Sequence, residues 1–127
     1  MNSTTTMDVS IVIPVFNKSS LTRDCLASLD AKTTRQLNWE VIVVDNASAD
    51  ETPTMLAEAQ SKYPWLRVIR NEVNRGFAGA SNQGADAAKA PAILFLNNDI
   101  VAHDGWLEPM VRTLYCDSFV AVVGSKL

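Results

Sequence analysis

The amino-acid sequence predicts an α/β domain in which helices cover both faces of an open, mostly parallel sheet. Short apolar runs rich in β-branched residues alternate with longer segments whose apolar residues recur every three or four positions. The short runs are apolar at almost every position, which is typical of strands that helices bury on both faces. Strands that alternate with helices in this way form a parallel sheet with a helix in each connection.

The first two strands are each followed by a short polar turn and a helix. Residues 9–16 and 39–45 form the strands, and Pro14 marks where ladder pairing stops in the first. Ser48, followed three residues later by Glu51, is a capping-box pattern, and Pro53 belongs in the first turn of the second helix. The helix faces that should pack on the sheet contain Leu21, Cys25, Leu26 and Leu29 in the first helix and Met55, Leu56, Ala59 and Tyr63 in the second.

The third strand and helix depart from this pattern. Residues 66–71 are predicted to form a strand near the sheet edge, because charged residues, Arg67 and Arg70, interrupt the apolar run. The helix that follows contains Gly76, Gly79 and Gly84, each of which costs about 1 kcal/mol relative to alanine inside a helix. Close approach of the backbone to a ligand or to a neighbouring strand would compensate for that cost.

The fourth strand leads into a strongly polar strand end. Residues 92–96 are apolar and are predicted to be buried on both faces, and Asn97, Asn98 and Asp99 follow directly. A fourth helix and a last strand at 119–124 complete the predicted order. The apolar face of this helix contains Trp106, Leu107, Met110, Val111 and Leu114.

The polar residues that follow the strands predict a ligand site at one edge of the sheet. Parallel strands end at the same edge, so residues 14–17, 45–48 and 97–99 should gather there. Asp99, preceded by two amides, offers the hard oxygen ligands that Mg²⁺ or Mn²⁺ shares with a substrate diphosphate. Taken singly, Asp45 could instead cap the turn after its strand, and residues 97–99 could close a polar turn. The convergence of three strand ends favours the ligand site.

Composition limits the class of partner and the compartment. The chain has 127 residues, enough for one domain, and its formal charge of −3 without a basic run argues against nucleic acid as a partner. Cys25 and Cys116 match no metal or redox spacing and are interpreted as free thiols. Residues 1–8 are expected to form a disordered leader, and no apolar run reaches the ~20 residues of a membrane helix. We therefore expect a cytoplasmic protein, with membrane-associated partners at the inner face of the membrane still allowed.

Two common nucleotide-binding loops are missing from the sequence. No Gly-x-Gly-x-x-Gly follows the first strand, and no Gly-x-x-x-x-Gly-Lys-Ser/Thr occurs anywhere. Dinucleotide-dependent redox chemistry and phosphate-loop ATPase chemistry are therefore disfavoured. A nucleotide could be held differently, with Asp45 accepting from a base N–H, the turn after the first strand covering base and ribose, and a metal ion on Asp99 binding the diphosphate.

Five segments along the chain form a recognisable set: they read "VSIVIPVFN", "EVIVVDNASAD", "NRGFAGASNQG", "ILFLNND" and "HDGWLEPM". In this order they resemble the family 2 glycosyltransferases, whose GT-A fold is the Rossmann-like fold of nucleotide-diphospho-sugar transferases. The resemblance implies that residues 9–127 are the nucleotide-sugar-binding half of a truncated GT-A domain. It also implies a metal ligand at Asp99 and nucleotide-binding residues at Pro14, Val15, Phe16, Asn17, Asp45, Asn46, Arg75, Gly76, Asn82, Asn97 and Asn98.

One departure from the family pattern concerns the metal ion. Asn97 and Asn98 stand where many relatives have acidic residues, which removes negative charge from the metal site. We therefore expect weak binding of Mg²⁺ or Mn²⁺ that depends on the bound nucleotide. The same "NND" resembles the rhamnosyltransferase-like branch, which hints at dTDP-rhamnose as the donor.

The resemblance implies an inverting transfer of a sugar from a nucleoside-diphosphate sugar to an acceptor hydroxyl of a glycan or lipid-linked saccharide. Its catalytic base is expected after residue 127, so this chain is expected to be the donor-binding part. The alternative is a non-catalytic nucleotide-binding or interaction module of the same fold; a receiver-type or flavodoxin-like domain is a weaker one. Apolar surface left uncovered by the missing half would favour a homo-oligomer.

Several candidate residues also have plain structural interpretations. Arg75 could be a solvated loop cation, and Gly76 and Asn82 could serve helix entry and packing. His103, the only histidine, has no partner at metal-binding spacing and is interpreted as a surface residue.

Overall fold

The computed structural model describes residues 6–116 and contains a parallel sheet with helices on both faces. The elements, in chain order, are β1 (Val9–Val15), α1 (Ser19–Lys32), β2 (Trp39–Asn46), α2 (Thr52–Lys62), β3 (Leu66–Asn71), α3 (Gly76–Ala87), β4 (Ala92–Phe95) and α4 (Glu108–Cys116). The strand order is β3-β2-β1-β4, with β3 at an edge as predicted. The fold class is thus confirmed, while the strand predicted at 119–124 lies outside the described residues. None of the helices in the described range is long and apolar enough to cross a membrane.

The larger core lies on one face of the sheet. Because successive strand residues point to opposite faces, Ile11 and Ile13 of β1 point to the same side. They share a buried cluster with Leu26 of α1, Leu56 of α2 and Val111 of α4. The helical spacing of apolar residues therefore identified most of the packing residues. The prediction is wrong for Leu21 of α1, which is 39% exposed, and Trp106 and Leu107 lie before α4 begins.

The opposite face packs closely against α3. Val12, Val44 and Ala80 are fully buried there. A Cβ atom added to Gly84 would lie 2.4 Å from Cγ1 of Val12 and 3.2 Å from Cγ2 of Val44. The glycine is required because the helix backbone approaches the sheet closely, as the sequence predicted for this segment.

The prediction that β4 is buried on both faces is wrong. Ile93 and Phe95 face the α3 side, beside Ser10 and Val12 in the register, and are 36% and 47% exposed. The reason is that α3 packs over β1 and β2. Within the described residues β4 is also an edge strand, so its outer half lacks the helix cover that the apolar run suggested.

The capping-box prediction for α2 is also wrong. The helix begins at Thr52, and Glu51 in the N-cap position makes no side-chain cap hydrogen bond, although Pro53 lies in the first turn as expected. The hydroxyl of Ser48 accepts a hydrogen bond from the backbone N–H of Asn17, 31 residues away. The Ser48 hydroxyl therefore takes part in a long-range hydrogen bond and not in the helix cap that the local pattern predicted.

Residues 6–8 precede β1 and make hydrogen bonds to the segment before β2, while the disordered leader predicted for residues 1–8 stays a prediction. The N–H of Asp8 donates to the carbonyl of Asn38 at 2.7 Å, and the Asn38 side chain donates to the carbonyl of Thr6 at 3.1 Å. Residues 6–8 are thereby held against the segment that precedes β2.

A buried polar network ties the start of the sheet to the end of α3. Glu40 is 3% exposed and accepts hydrogen bonds from the Ser10 hydroxyl, the Lys89 N–H and the Arg67 guanidinium at 2.6, 2.8 and 2.7 Å. Arg67 also donates to the carbonyl of Ala87. Burial opposes ionisation of this carboxyl, but the three donors outweigh it and lower the pKa of Glu40.

Candidate functional site

The predicted convergence of strand ends occurs at the carboxyl edge of the sheet. All neighbouring strands are parallel, and Val15 lies opposite Asp45, which lies opposite Arg70 in turn. On the other side of β1, Phe95 pairs with Val12, and the N–H of Leu96 donates to the carbonyl of Val12. Residues 14–17, 45–48 and 97–99 therefore leave the sheet at one edge.

The turns after β1 and β2 are joined by reciprocal hydrogen bonds. The N–H of Asn17 donates to the Ser48 hydroxyl at 2.7 Å, and the N–H of Ala49 donates to Oδ1 of Asn17 at 2.8 Å. We call these three residues the loop clasp. A third bond runs from the N–H of Ser19 to the Asp50 carboxylate at 3.3 Å. The two turns are therefore held together as one unit.

Three residues of these turns adopt left-handed backbone conformations although they are not glycines. The φ angles are 56° for Asn17, 58° for Lys18 and 69° for Ala47. Each such residue costs of the order of 1 kcal/mol and persists when surrounding contacts fix it. The loop clasp provides those contacts for Asn17. Phe16, directly before the left-handed pair, is 49% exposed.

Asp45 is fully buried at this edge, and both of its carboxylate oxygens accept hydrogen bonds. Oδ1 accepts from the N–H of Ser48 at 3.0 Å, and Oδ2 accepts from Nη1 of Arg70 at 2.5 Å. Asp45 thus supports the turn after β2, which was the plainer interpretation of this residue. Contact between Asp45 and a nucleobase stays a prediction and would require the Arg70 side chain to move aside.

Sequence reasoning missed Arg70. Its Nη2 also donates to the carbonyl of Ser48 at 3.2 Å, and about half of its side chain is exposed. The available signal was the presence of two arginines, Arg67 and Arg70, in an otherwise apolar run, which indicated an edge strand but not the partners of Arg70. Those partners lie 22 and 25 residues away in the chain.

A set of side-chain amides joins β2 and β3 to the start of α3. Oδ1 of Asn46 accepts from the N–H of Arg75 at 2.8 Å, and Nδ2 of Asn46 donates to the carbonyl of Gly76 at 3.0 Å. Asn71 also donates to Oδ1 of Asn46 and exchanges two hydrogen bonds of 2.8 Å with Gln83. Asn46 therefore fixes the 75–76 backbone at the site edge. Asn71 and Gln83 were not among the predicted site residues.

The start of α3 presents a helix N-terminus and a cation at this edge. Gly76 has a φ of 76°, and its N–H donates to Oδ1 of Asn74 at 2.8 Å. Arg75 and Asn82 are exposed, and the first turn of the helix contains no acidic residue. The helix N-terminus and Arg75 together favour a negatively charged ligand.

The segment after β4 carries the predicted metal ligand. Asn97 and Asp99 are exposed, while Nδ2 of the half-buried Asn98 donates to Oγ1 of Thr22 at 3.0 Å. Asp99 also affects Cys25 in α1, because burial and then the negative charge of Asp99 raise the pKa of the Cys25 thiol to about 12. That cysteine is free and buried, so its thiol is inert.

The oxygen atoms around Asp99 suit a hard cation that takes most of its ligands from water and from a bound substrate. Across residues 6–116, no group of three or more histidine, cysteine, aspartate or glutamate side chains could hold a metal ion. The protein oxygens available are the Asp99 carboxylate and the amide oxygens of Asn97 and Asn98. Mg²⁺ and similar ions bind through one or two carboxylates, water and substrate phosphates, so this set fits a metal ion that arrives with a diphosphate.

The fold and this edge define the class: an open, parallel α/β domain with its ligand-binding groups at the carboxyl edge of the sheet. Residues 10–126 match the family described as glycosyl transferase family 2. The chain belongs to that family. The resemblance predicted from the five segments is confirmed for the family and the GT-A fold, while the rhamnosyltransferase-like branch stays a prediction.

Relatives and solved structures support this assignment. Glycosyltransferase AglE of Haloferax volcanii is 31% identical over 106 residues, which cover 84% of this chain and 35% of AglE. The mannosyltransferase PcManGT of Pyrobaculum calidifontis, solved with GDP-Man and Mn²⁺, matches with a TM-score of 0.68 and 26% identity over 74% of this chain and 28% of its own. Residues 1–349 of TarS from S. aureus match with a TM-score of 0.72 and 26% identity over 81% and 31%. The chain thus spans about a third of each of these relatives.

Proposed function

We propose that this chain is the donor-binding part of an inverting glycosyltransferase that transfers a sugar from a nucleoside-diphosphate sugar to an acceptor hydroxyl. The observation that carries the proposal is the convergence of the ends of β1, β2 and β4 with the start of α3 at one sheet edge. Ligands of open α/β sheets bind at that edge. The relative solved with GDP-Man and Mn²⁺ has the same fold, which supports this class of ligand.

The nucleoside half of the donor is proposed to bind on the turns after β1 and β2. Residues 14–17 supply a rigid surface, since the loop clasp fixes Asn17. The exposed ring of Phe16 offers an aromatic face for a base or ribose. Asp45 and Asn46 support this surface from below through their hydrogen bonds to Ser48 and to the 75–76 backbone.

The diphosphate is proposed to lie between the start of α3 and the segment after β4. Arg75, Gly76 and Asn82 supply a cation, a backbone turn and an amide on one side, and Asn97 and Asn98 supply amides on the other. Asp99 would hold Mg²⁺ or Mn²⁺, with the amide oxygens beside it. When bound, the ion would act as a Lewis acid toward the diphosphate leaving group, where negative charge grows during transfer.

Finer features of the reaction follow only from the resemblance. The proposed donor is dTDP-rhamnose, and the proposed acceptor is a glycan or lipid-linked saccharide met at the inner face of a membrane. A carboxylate base outside this chain would take the acceptor proton.

Calorimetry with UDP, dTDP and GDP, each with and without Mn²⁺, tests the donor site directly. We expect at least one nucleotide to bind, and to bind more tightly with Mn²⁺ because the ion joins the diphosphate to Asp99. Absence of binding for all three under both conditions would overturn the proposal. The preferred nucleotide identifies the donor class, and preference for UDP or GDP would exclude dTDP-rhamnose.

A non-catalytic binding module is the second candidate, favoured by the lone carboxylate at the metal position. Asp99→Asn separates the two, because it removes one charge without changing the shape of the side chain. The transferase proposal predicts that Mn²⁺ no longer strengthens nucleotide binding in this variant. Asp104→Asn is the control, since Asp104 is exposed and its one ion pair within residues 6–116 is with Lys32, across 3.6 Å. The module predicts instead that Asp99→Asn binds nucleotide with the wild-type affinity, with or without Mn²⁺.

A further inference from the structure

We propose that Arg70 is a positioning residue for nucleotide binding, and that the buried Asp45 acts on the ligand through Arg70 and Ser48 rather than by direct contact. The inference rests on the proposed donor site. Arg70 does not belong to the five segments of family resemblance. It is assigned here only from its contacts at the carboxyl edge of the sheet.

Arg70 and Asp45 together fix both polar backbone groups of Ser48. Asp45 accepts from the Ser48 N–H at 3.0 Å, and Arg70 donates to the Ser48 carbonyl at 3.2 Å. The ion pair between Arg70 and Asp45 closes this arrangement at 2.5 Å. Since charge-assisted hydrogen bonds are the stronger ones, the Ser48 peptide groups have little freedom to rotate.

The constraint on Ser48 reaches the proposed nucleoside surface. The Ser48 hydroxyl accepts the N–H of Asn17, whose own side chain accepts the N–H of Ala49. Asn17 and Lys18 have left-handed backbones that relax when such contacts are lost. Release of Ser48 would therefore loosen the turn that carries Phe16. A loosened turn must be ordered again at each binding event, which lowers affinity.

The chain contains a natural control for this argument. Arg67, on the same strand, pairs with a buried carboxylate of β2 as Arg70 does, and both arginine side chains are partly exposed. However, the partner of Arg67 is Glu40 near the amino end of β2, and Arg67 also binds the end of α3 at Ala87. Loss of either pair leaves a buried carboxylate without its cation. Of the two arginines, however, Arg70 is the one at the carboxyl edge of the sheet, where the donor is proposed to bind.

The test compares Arg70→Met with Arg67→Met in the full 127-residue chain. Nucleotide affinity is measured by calorimetry with the nucleotide that the wild type prefers, at a temperature where circular dichroism shows both variants folded. We expect Arg70→Met to weaken binding about tenfold, and Arg67→Met to change it less than about twofold although its melting temperature also falls. Equal loss of affinity in both variants would overturn the inference, as would unchanged affinity in Arg70→Met.

Arg70→Lys provides a second measurement, including the case where the methionine variant does not fold. Lysine can retain the ion pair with Asp45 but cannot bond the Ser48 carbonyl in the same fork. Its affinity should lie between those of the wild type and Arg70→Met, or below the wild type if Arg70→Met is unfolded. A wild-type affinity in Arg70→Lys would show that the contact to Ser48 has no effect on binding. A wild type that binds no nucleotide would instead overturn the proposed function, and this inference with it.

Discussion

At the scale of single residues, two side chains show how burial changes the role of a chemical group. Asp45 ends an apolar strand, as a ligand-binding carboxylate should, yet both of its oxygens accept hydrogen bonds inside the protein. Asp99 is exposed and is the carboxylate available to a cation. The two acids reach the same edge of the sheet, but one organises the turn after β2 and the other is proposed to face the ligand.

Gly84 gives a prediction about packing. A methyl group at this position would overlap Val12 of β1, with Val44 of β2 also in tight contact. We expect Gly84→Ala to lower the free energy of unfolding by about 1–3 kcal/mol, because overpacking outweighs the gain in helix propensity. Urea unfolding measures the change.

Gly79→Ala is the control for Gly84→Ala. The nearest neighbour of a Cβ at Gly79 is Cβ of Arg75 at 3.0 Å, a side chain in the exposed start of α3. We expect Gly79→Ala to change stability less. Equal losses of stability in the two variants would mean that the contact of α3 with Val12 and Val44 does not restrict residue 84 to glycine.

At the scale of elements, hydrogen bonds between side chains and backbone join pieces that are distant in the chain. The loop clasp connects the turns after β1 and β2, and the Asn46 amide connects β2 to the start of α3. At the other end of the sheet, Glu40 joins β1, β3 and the segment after α3. Both ends of the sheet are therefore held by buried polar groups of β2.

The Glu40 network makes stability depend on pH. The pKa of Glu40 is lower in the folded protein than its ordinary value, so the folded state favours the ionised carboxylate. The resulting stabilisation is present above the ordinary glutamate pKa and is lost as the pH falls through the lower, folded value. We expect the free energy of unfolding to fall as the pH is lowered from about 5 to about 3. Urea unfolding at a series of pH values measures this change.

Glu40→Gln isolates this contribution, because Asp30 and Asp50 also have lowered pKa values and titrate in both proteins. The variant should be less stable at neutral pH, since the amide gives up the ion pair with Arg67. Its stability should also fall less steeply with acid. Parallel curves for the wild type and Glu40→Gln would contradict the assignment.

At the scale of the whole molecule, the sequence predicted what depends on local periodicity. The apolar runs and helical faces identified the described strands and helices, because a two-residue or 3.6-residue repeat is set by local geometry. That Asp45 and the segment carrying Asp99 lie at one edge of the sheet followed from the parallel order alone. Their common edge is therefore a consequence of topology.

Features that depend on long-range partners could not be read from the sequence. The hydroxyl of Ser48 matched a local capping pattern but binds Asn17, and Arg70 reads as a surface charge until Asp45 lies opposite it. The exposure of Phe95 depends on which strands α3 covers, which an apolar run cannot specify. In each case a contact made by folding decided between two locally reasonable interpretations.

β1 lies between β2 and β4, although the ribosome makes it first. The ladder between β1 and β2 can form once residue 46 has emerged from the ribosome. The ladder between β1 and β4, which pairs Val9 with Ala92, can form only after most of the described chain has been synthesised. During this interval the nascent polypeptide carries an apolar strand with one edge unpaired, a template for pairing with other chains. Slowed translation between β2 and β4 would therefore favour aggregation.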